Sequence, residues 1–458
     1  MTLIKSISGM RGTLGGRPGE NLTPIDIVQF SSAYALVLKE QVERPKVVVG
    51  RDGRVSGTQV SGLVCQTLSM MGVDIIDLGL STTPTVEMEV VAQAAHGGII
   101  VTASHNNMSY NALKFLNEKG EFISKAGGQR LIDLASEGDF TYVNADQLGQ
   151  IQTVDDAIAR HVQKICDLAT VDVPAIKEKS YTVVVDCINS TGSLSIPPLL
   201  EALGCKCIMI NEDICGVFAH NPEPLAHNLT ELTAAVKEHN ANIGVAVDPD
   251  VDRLAFVDEH GVYCGEEYTL VMVAKYLLSV TPGPTVSNLS STKALMDITK
   301  AAGQEYFAAA VGEVNVVTKM REVNAIIGGE GNGGIIYPTL HAGRDALVGI
   351  ALMLSAIAKD NTTLSAYRSS CPTYVMTKDK IQLTPELDVD NLLERVTMHY
   401  SDHDTDTQDG VKIYIRGGWA HLRKSNTEPI VRVYTEGRDD SEANAIAEEI
   451  KELVANWI

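Results

Sequence analysis

Short runs of β-branched and apolar residues, each followed by small and polar residues, recur along most of the chain. The first run covers 46–50, and a loop, a helix ending at Met71-Gly72 and a second apolar run at 73–78 follow it. The same order returns from residue 182 and again from residue 285. A βαβ unit has this order: a strand, a loop, a helix that ends at a glycine, and a second strand. Three widely spaced units predict three similar α/β domains with mixed or mainly parallel sheets.

The pattern changes after residue 371. An acidic segment poor in apolar residues covers 401–409, short strands are predicted at 411–415 and 430–434, and an amphipathic helix follows at 441–455. These features predict a smaller α+β domain at the C-terminus. We therefore expect four domains, at 1–150, 151–260, 261–371 and 372–458.

Composition restricts the class of protein. Hydrophobic residues make up 45% of the chain and charged residues 21%, which is typical of soluble globular proteins. The net charge of −21 argues against nucleic acid or an anionic membrane as a partner. No apolar run approaches the roughly 18 residues of a membrane span, residues 1–11 lack a signal-peptide core, and the eight cysteines form no CxxC pair. We therefore expect a cytoplasmic protein with free thiols.

One hydroxyl group lies at the exit of a short buried strand. The strand is predicted at 98–101, and Ser104 and His105 follow it in a loop. Lys114, on the next predicted strand at 112–116, is expected beside that loop. A serine in such a place can carry a covalent phosphoryl or acyl group if a neighbour activates it, and it can also simply close a turn.

Three carboxylates alternate in a short loop between two predicted strands, at 243–247 and 254–257. Asp248, Asp250 and Asp252 can converge on one hard divalent cation such as Mg²⁺. The same residues begin like a calcium-binding EF-hand loop, but Arg253 replaces the glycine that such a loop needs and strands flank it instead of helices. A solvated acidic turn is disfavoured because close carboxylates repel one another. We predict a metal site.

Three further segments carry polar groups that could bind a small ligand. The Arg423–Pro429 segment, with Arg432 beyond it, combines guanidinium groups, hydroxyls and turn amides that can bind phosphate. The glycine-rich segment 328–334 is predicted to be a loop that presents Glu330 and Asn332, which suit sugar hydroxyls. Near the N-terminus, a predicted small loop at 8–12 presents Arg11, and a surface salt bridge is its alternative role.

Taken together, four of these segments resemble the α-D-phosphohexomutases. The segments are TASHN at 102–106, DPDVDR at 248–253, GEGNG at 329–333 and RKSNTEP at 423–429, and they occur in that order at domain-sized intervals. The resemblance covers nearly the whole chain. It implies four domains around a central cleft and an enzyme that interconverts hexose 6-phosphates and hexose 1-phosphates. It also implies Mg²⁺ as cofactor, hexose 1,6-bisphosphate as intermediate and activator, a small sugar phosphate as partner, and a monomer or homodimer.

The resemblance also implies roles for single residues. Ser104 carries the phosphoryl group, and Asp248, Asp250 and Asp252 bind Mg²⁺ with an oxygen of the phosphoserine as a further ligand. The groups that assist the transfer are Arg11 and Arg253 for phosphoryl oxygens, and His105 and Lys114 for protons. The substrate-binding groups are Glu330 and Asn332 for the sugar, and Arg423, Ser425, Asn426, Thr427 and Arg432 for the phosphate that is not transferred.

The chain departs from the common family pattern in two places. Asn332 and Gly334 replace the Ser and His of many relatives, and Asn107 replaces a proline. The sugar segment is more similar to archaeal-type phosphoglucosamine mutases, so glucosamine 6-phosphate is the favoured substrate, and phosphomannomutase and phosphoglucomutase activities are alternatives. A serine-dependent sugar phosphatase and a non-catalytic sensor remain less favoured, since a hydrolase needs no distant second phosphate site and no expected catalytic position is vacant.

Overall fold

The described residues form four β-sheets, three in α/β domains and one in a C-terminal α+β domain. The computed structural model describes residues 2–6, 9–382, 388–424 and 430–457. The chain divides into two compact units, one of Met1–Thr269 with Gly333–Ala366 and the other of Leu270–Asn332 with Tyr367–Ile458. The predicted fold class, three α/β domains followed by an α+β domain, is confirmed.

The first sheet contains the predicted serine strand. Its domain comprises β1 (Ile4–Ser6), β2 (Gly9–Thr13), α1 (Pro24–Lys39), β3 (Lys46–Arg51), α2 (Gly57–Met70), β4 (Asp74–Leu80), α3 (Thr83–Ala92), β5 (Gly97–Val101), β6 (Tyr110–Leu116), α4 (Lys125–Glu137) and β7 (Ile151–Thr153). The strand order is β1-β2-β6-β5-β3-β4-β7, with β3, β4 and β5 parallel and β6 antiparallel to β5. The apolar side chains of β3 and β5 are fully buried, which explains their continuous runs of β-branched residues.

The second sheet carries the acidic loop. Its domain comprises α5 (Ala157–Cys166), α6 (Val173–Lys179), β8 (Thr182–Asp186), α7 (Gly192–Ala202), β9 (Lys206–Ile210), α8 (Thr230–Glu238), β10 (Ile243–Val247) and β11 (Leu254–Asp258). The strand order is β11-β10-β8-β9, and β10 and β11 are antiparallel neighbours. The segment of the three aspartates is therefore the connection of a β-hairpin.

The third and fourth sheets follow. Their elements are α9 (Glu266–Val280), β12 (Thr285–Asn288), α10 (Ala294–Ala301), β13 (Tyr306–Ala309), α11 (Glu313–Val323), β14 (Ile327–Glu330), β15 (Gly334–Ile336), α12 (Ala346–Lys359), α13 (Leu364–Ser369), β16 (Val375–Gln382), α14 (Val389–His399), β17 (Thr405–Asp406), β18 (Val411–Ile415), β19 (Gly418–Lys424), β20 (Ile430–Gly437) and α15 (Asp440–Ala455). β12 is parallel to β13 and β14, whereas the last sheet is antiparallel in the order β16-β20-β19-β18-β17.

The most apolar helix is α12. It is buried along nearly its whole length and packs against α5, α6 and α7 within the first unit. This packing explains a sequence without a polar face. Of the helices in the described ranges, none is both long enough and apolar enough to cross a membrane.

The glycines that end the repeated helices have the predicted conformation. Gly72, Gly204 and Gly303 have φ angles of +74°, +72° and +71°. This left-handed region costs glycine little, and it turns the chain from each helix into the following strand. The three βαβ units predicted from the sequence are thus confirmed.

Parts of three segments predicted as loops are strands. Arg11 lies within β2, Glu330 is the last residue of β14, and Arg423 lies near the end of β19. The glycine in β2 was misleading as a turn signal, because its role is to let neighbouring strands pack closely. A Cβ atom on Gly9 would lie 2.1 Å from the carbonyl oxygen of Leu113 in the neighbouring strand β6. The loop prediction is therefore wrong for 9–12, 328–330 and 423–424. Residues 331–333 connect β14 to β15, and residues 425–429 lie outside the described part of the chain.

Candidate active site

The serine loop begins directly after β5 and places the Ser104 hydroxyl against the acidic loop. Ser104 has a φ of +48°, a conformation that is uncommon for residues other than glycine. Its backbone N–H donates to the hydroxyl oxygen of Thr102 at 2.9 Å, and its own hydroxyl donates to Oδ2 of Asp248 at 2.6 Å. Nδ1 of His105 lies 3.5 Å from the same hydroxyl. Such local strain is characteristic of functional loops.

A buried arginine that the sequence analysis missed shapes this loop. Arg54 follows β3 and is 2% exposed. Its guanidinium donates to four carbonyl oxygens of the loop, those of Ser104, Asn106, Asn107 and Tyr110. Nε of Arg54 also forms an ion pair with Asp52 at 2.9 Å. The sequence feature that could have indicated Arg54 is the charged pair Asp52 and Arg54 in the loop of the first repeat. The corresponding loops of the other two repeats have uncharged residues.

We expect Arg54→Lys to reduce kcat by about 100-fold, because one ammonium group cannot reproduce the four carbonyl contacts, and a displacement of about 1 Å has an effect of that size. Arg54→Gln should in addition destabilise the fold by about 3–5 kcal/mol, since Asp52 would be left buried without a counter-charge. Mutase assays and thermal unfolding measure the two effects. Arg44→Lys, at an exposed ion pair with Asp74, is the matched control. Wild-type kcat in Arg54→Lys would show that the loop does not need this arginine.

The three aspartates of the β10–β11 hairpin form one buried cluster. Asp248, Asp250 and Asp252 are each 0% exposed, and one carboxylate oxygen from each lies within 4.8 Å of the others. Within the described part of the chain, Oδ1 of Asp250 and Oδ1 of Asp252 have no hydrogen-bond partner. Val251 between them has a φ of +62°, which is rare for a β-branched residue. Buried carboxylate oxygens without partners fit a hard cation such as Mg²⁺.

Three side chains hold the aspartates in place. Nζ of Lys114 lies 2.8 Å from Oδ2 of Asp250 and 3.5 Å from Oδ2 of Asp252. The Thr83 hydroxyl donates to Oδ2 of Asp250 at 2.6 Å, and Nη2 of Arg344 donates to Oδ2 of Asp252 at 2.7 Å. Lys114 was expected near the serine loop. Thr83 and Arg344 were not anticipated, because each comes from a distant element with no motif of its own.

Burial and neighbouring charges shift the pKa values of Asp248, Asp250 and Lys114 in different directions. Burial and the charges of Asp250 and Asp252 raise the pKa of Asp248 well above its usual range. Burial alone would raise the pKa of Asp250, but Lys114 lowers it below the usual range. Burial likewise opposes the charged form of Lys114, yet its two aspartate neighbours raise its pKa. Lys114 is therefore a cation at neutral pH, ready to donate hydrogen bonds.

The predicted arginines lie around the serine loop. Nη1 of Arg11 donates to Oδ1 of Asn106 at 2.9 Å, and Nη1 of Arg253 lies 3.3 Å from Oε1 of Glu223. Nε of Arg253 is buried and has no hydrogen-bond partner among the described residues. Burial and the nearby guanidinium groups lower the pKa of His105 to about 2, so its imidazole is neutral at physiological pH. The contributing guanidinium groups are those of Arg253, Arg11 and Arg344.

The second unit contains the predicted sugar-binding side chains. Oε1 of Glu330 accepts hydrogen bonds from Nδ2 of Asn288 at 2.9 Å and from the backbone N–H of Gly312 at 3.1 Å. Nδ2 of Asn332 lies 3.5 Å from Oε2 of Glu330. Asn288 was not predicted. Its position at the end of β12 could have indicated it, because the carboxyl ends of parallel strands meet at one edge of a sheet.

Two arginines that were predicted to bind phosphate lie opposite each other on neighbouring strands of the last sheet. Arg423 of β19 and Arg432 of β20 are directly paired in register. Nε of Arg423 donates to Oδ2 of Asp409 at 2.6 Å, and Nη1 of Arg432 donates to the Tyr434 hydroxyl at 3.2 Å. Like charges directly opposite each other are destabilising, so a bound anion would be favourable here. Ser425, Asn426 and Thr427 lie outside the described residues.

A serine beside a carboxylate cluster, with arginines and a lysine around it, defines a site suited to phosphoryl transfer. Models of the phosphoglucomutase/phosphomannomutase family match the chain in four parts: alpha/beta/alpha domains I, II and III at residues 3–142, 159–261 and 265–374, and the C-terminal domain at 377–453. The chain belongs to this family. It is a phosphohexomutase, an isomerase that moves a phosphoryl group within a hexose phosphate.

Individual relatives extend over the whole chain. A phosphoglucomutase/phosphomannomutase of Thermococcus kodakarensis is 35% identical, with 95% of this chain and 96% of the relative covered. A probable phosphoglucosamine mutase of Methanopyrus kandleri is 32% identical, with 98% of each covered. The crystal structure of a phosphoglucomutase/phosphomannomutase family protein from Burkholderia thailandensis superposes with a TM-score of 0.85 at 27% identity, covering 98% of this chain and 96% of that one.

Proposed function

We propose that the enzyme interconverts hexose 6-phosphate and hexose 1-phosphate through a phosphoserine at Ser104 and a hexose 1,6-bisphosphate intermediate. The observation that carries this proposal is the 2.6 Å hydrogen bond from the Ser104 hydroxyl to Asp248, which orients the serine oxygen toward the acidic loop. A sugar hydroxyl attacks the phosphorus of phosphoserine, the bond from phosphorus to Oγ breaks, and a proton returns to Oγ. After the bisphosphate reorients, its other phosphoryl group moves back to Ser104.

Neighbouring residues neutralise charge and move protons during these steps. Asp248, Asp250 and Asp252 would hold Mg²⁺, which supplies positive charge to the phosphoryl oxygens when bound. Arg11 and Arg253 bind phosphoryl oxygens, and the buried Nε of Arg253 is suited to this because it has no hydrogen-bond partner among the described residues.

The two proposed proton carriers differ in charge. His105 is proposed to accept the proton of the attacking sugar hydroxyl. Burial and nearby arginines lower the pKa of its imidazole to about 2, which keeps the ring neutral but weakly basic, and the negative charge of a phosphoryl group at those arginines would raise that pKa. Lys114 remains protonated, because Asp250 and Asp252 raise its pKa although burial opposes this. It can donate a hydrogen bond to the oxygen that leaves phosphorus.

Four side chains of the second unit are proposed to bind the sugar and the phosphate that is not transferred: Glu330, Asn332, Arg423 and Arg432. Glu330 and Asn332 would accept and donate hydrogen bonds to sugar hydroxyls. Arg423 and Arg432 would hold the phosphate that is not transferred, together with Ser425, Asn426 and Thr427. The support is the cross-strand pair of arginines, whose mutual repulsion an anion would relieve.

Glucosamine phosphate is the proposed substrate. Support comes from the segment with Asn332 and Gly334, and from the 32% identical relative named a probable phosphoglucosamine mutase.

The test compares kcat/KM for glucosamine, mannose and glucose 6-phosphates under one set of conditions, and also measures released inorganic phosphate. We expect glucosamine phosphate to give the largest value, with isomerisation far exceeding phosphate release. A larger kcat/KM for mannose or glucose phosphate would contradict the hexose assignment alone, whereas phosphate release without isomerisation would contradict the proposed reaction route.

We expect Arg423→Ala to raise KM by about 10- to 150-fold, corresponding to the loss of roughly 1.5–3 kcal/mol for a charged hydrogen bond. It should also lower kcat, because binding of the remote phosphate aligns the reacting hydroxyl. The bisphosphate should escape more often, so the variant should depend more on added hexose 1,6-bisphosphate as activator. Steady-state kinetics with and without bisphosphate measure this. Arg416→Ala, an exposed arginine of the same sheet region, is the control, and an unchanged KM in Arg423→Ala would place the phosphate elsewhere.

We also propose a cytoplasmic enzyme that works as a monomer or homodimer. All eight cysteines are free thiols, which suits a reducing compartment.

A further inference from the structure

A second cluster of metal-ligating side chains lies in the first unit, outside the proposed reaction. His161 of α5 and His341 approach one carboxylate oxygen, Oδ2 of Asp345, which directly precedes α12. Nε2 of His161 lies 2.9 Å from this oxygen and Nε2 of His341 lies 3.3 Å from it. The three ligand atoms all lie within 4.8 Å of one another. Two separate parts of the chain, α5 and the segment that leads into α12, therefore converge on one small volume.

The remaining polar atoms of these side chains lie next to other polar groups, although Nδ1 of His341 makes no hydrogen bond within the described residues. Nδ1 of His161 lies 2.9 Å from the Thr85 hydroxyl, and Nδ1 of His341 lies 3.3 Å from Oε2 of Glu87. Histidines that bind metals usually have the second ring nitrogen held in this way, often by a carboxylate. Oδ1 of Asp345 caps α12 by accepting the N–H groups of Leu347 and Val348. The atoms that face one another are thus the three that could ligate a metal.

The charge of the cluster also favours a divalent cation. Glu87 and Asp345 are both buried carboxylates, and buried charges require compensation. With neutral imidazoles, one divalent ion balances the two carboxylates. A proton is the competing occupant. Protonation of one imidazole would supply only one positive charge.

We propose that His161, His341 and Asp345 bind a divalent transition metal ion of the zinc class. Two imidazole nitrogens with one carboxylate oxygen are ligands typical of zinc, whereas Mg²⁺ prefers oxygen ligands alone. This separates the site chemically from the aspartates of the β10–β11 hairpin. The His341 side chain is 11% exposed and provides a route for the ion.

The position of the cluster indicates a structural role for the ion. Helix α3 carries Glu87 and also Thr83, whose hydroxyl binds Asp250. Arg344, next to Asp345, binds Asp252. An ion at the second site would therefore fix two elements that hold the acidic loop, without contacting the reacting groups.

The test is zinc binding by the full chain. The protein is treated with a chelator, dialysed against Zn²⁺ in the presence of excess Mg²⁺, and analysed for bound metal and for its melting temperature. We expect one zinc ion per chain and a rise in melting temperature. His341→Gln and His161→Gln should abolish both, and Glu87→Gln should weaken zinc binding by about 10- to 100-fold through the orientation of His341. Asp250→Asn should retain the zinc ion, because it alters only the other site.

A Co²⁺ substitution distinguishes this site from adventitious binding. The wild type should show the intense visible absorption of low-coordinate cobalt, and both histidine variants should lack it. The proposal is overturned if the wild type binds no zinc in excess Mg²⁺, or if both histidine variants bind zinc and shift their melting temperature as the wild type does. Loss of zinc from Asp250→Asn alone would place the ion at the acidic loop and also overturn it. None of these outcomes depends on mutase activity.

Discussion

Ser104→Ala is expected to abolish mutase turnover and to leave the fold intact. The proposed reaction requires an oxygen atom at this position to accept and return the phosphoryl group, and alanine has none. Loss of a nucleophile in hydrolases lowers kcat on the order of 10⁶-fold, so the residual rate should fall below detection. The fold should survive, because the hydroxyl removed makes polar contacts to Asp248 and buries little apolar surface.

Mass spectrometry gives a second readout of the same residue. Intact wild-type protein should show a phosphoryl adduct on a fraction of molecules, mapping to Ser104, and Ser104→Ala should lack it. Ser109→Ala is the matched control, since the hydroxyl of this exposed serine of the same loop donates to the side chain of Asn107. Wild-type turnover in Ser104→Ala, or an adduct that maps to another residue, would refute the proposed phosphoserine route.

Asp250→Asn is expected to cause the second-largest loss. The amide has the shape of the carboxylate but is a poorer ligand for a hard cation, so Mg²⁺ binding should weaken strongly. A metal ion contributes several kcal/mol to phosphoryl transfer. The corresponding loss in kcat/KM is on the order of 10³-fold or more. Lys114 would also lose its nearer ion-pair partner, leaving only the 3.5 Å contact with Asp252.

Calorimetric titration with Mg²⁺ and activity after chelation measure this effect. Wild-type activity should disappear in excess chelator and return with Mg²⁺, whereas Asp250→Asn should require far more Mg²⁺ for its residual activity. Asp213→Asn, which removes an exposed carboxylate of the same domain, should behave as the wild type. Activity that persists in excess chelator, with no metal found by elemental analysis, would exclude the proposed role of the three aspartates.

Most secondary structure followed from the sequence because local patterns determine it. The predicted strand at 182–186 is β8, and the predicted strand at 411–415 is β18, each with the expected bounds. The C-terminal helix predicted at 441–455 is α15, which begins one residue earlier. The failures at β2 and β14 share one cause. Glycine near a strand end signals a turn locally, but here neighbouring strands pack so closely that a side chain would not fit.

The candidate site was predictable as a set of residues and not as an arrangement. The motif order indicated the family, and the family resemblance supplied roles for Ser104, the three aspartates and the arginines. Residue types and spacing carry this information because phosphoryl transfer requires particular functional groups. Roles for single residues remain proposals that the variants above test.

Tertiary structure alone decided which groups meet. Ser104 and Asp248 are 144 residues apart in the chain, yet a hydrogen bond joins them. Arg54, Arg344 and the cluster around Asp345 carry no recognisable motif, because their partners are backbone carbonyls or side chains from distant elements. The sequence by itself determined the order of the elements, the family and the types of reactive groups, since these depend on local pattern and chemistry. The pairing of buried charges depends on long-range packing, and only the folded chain specifies it.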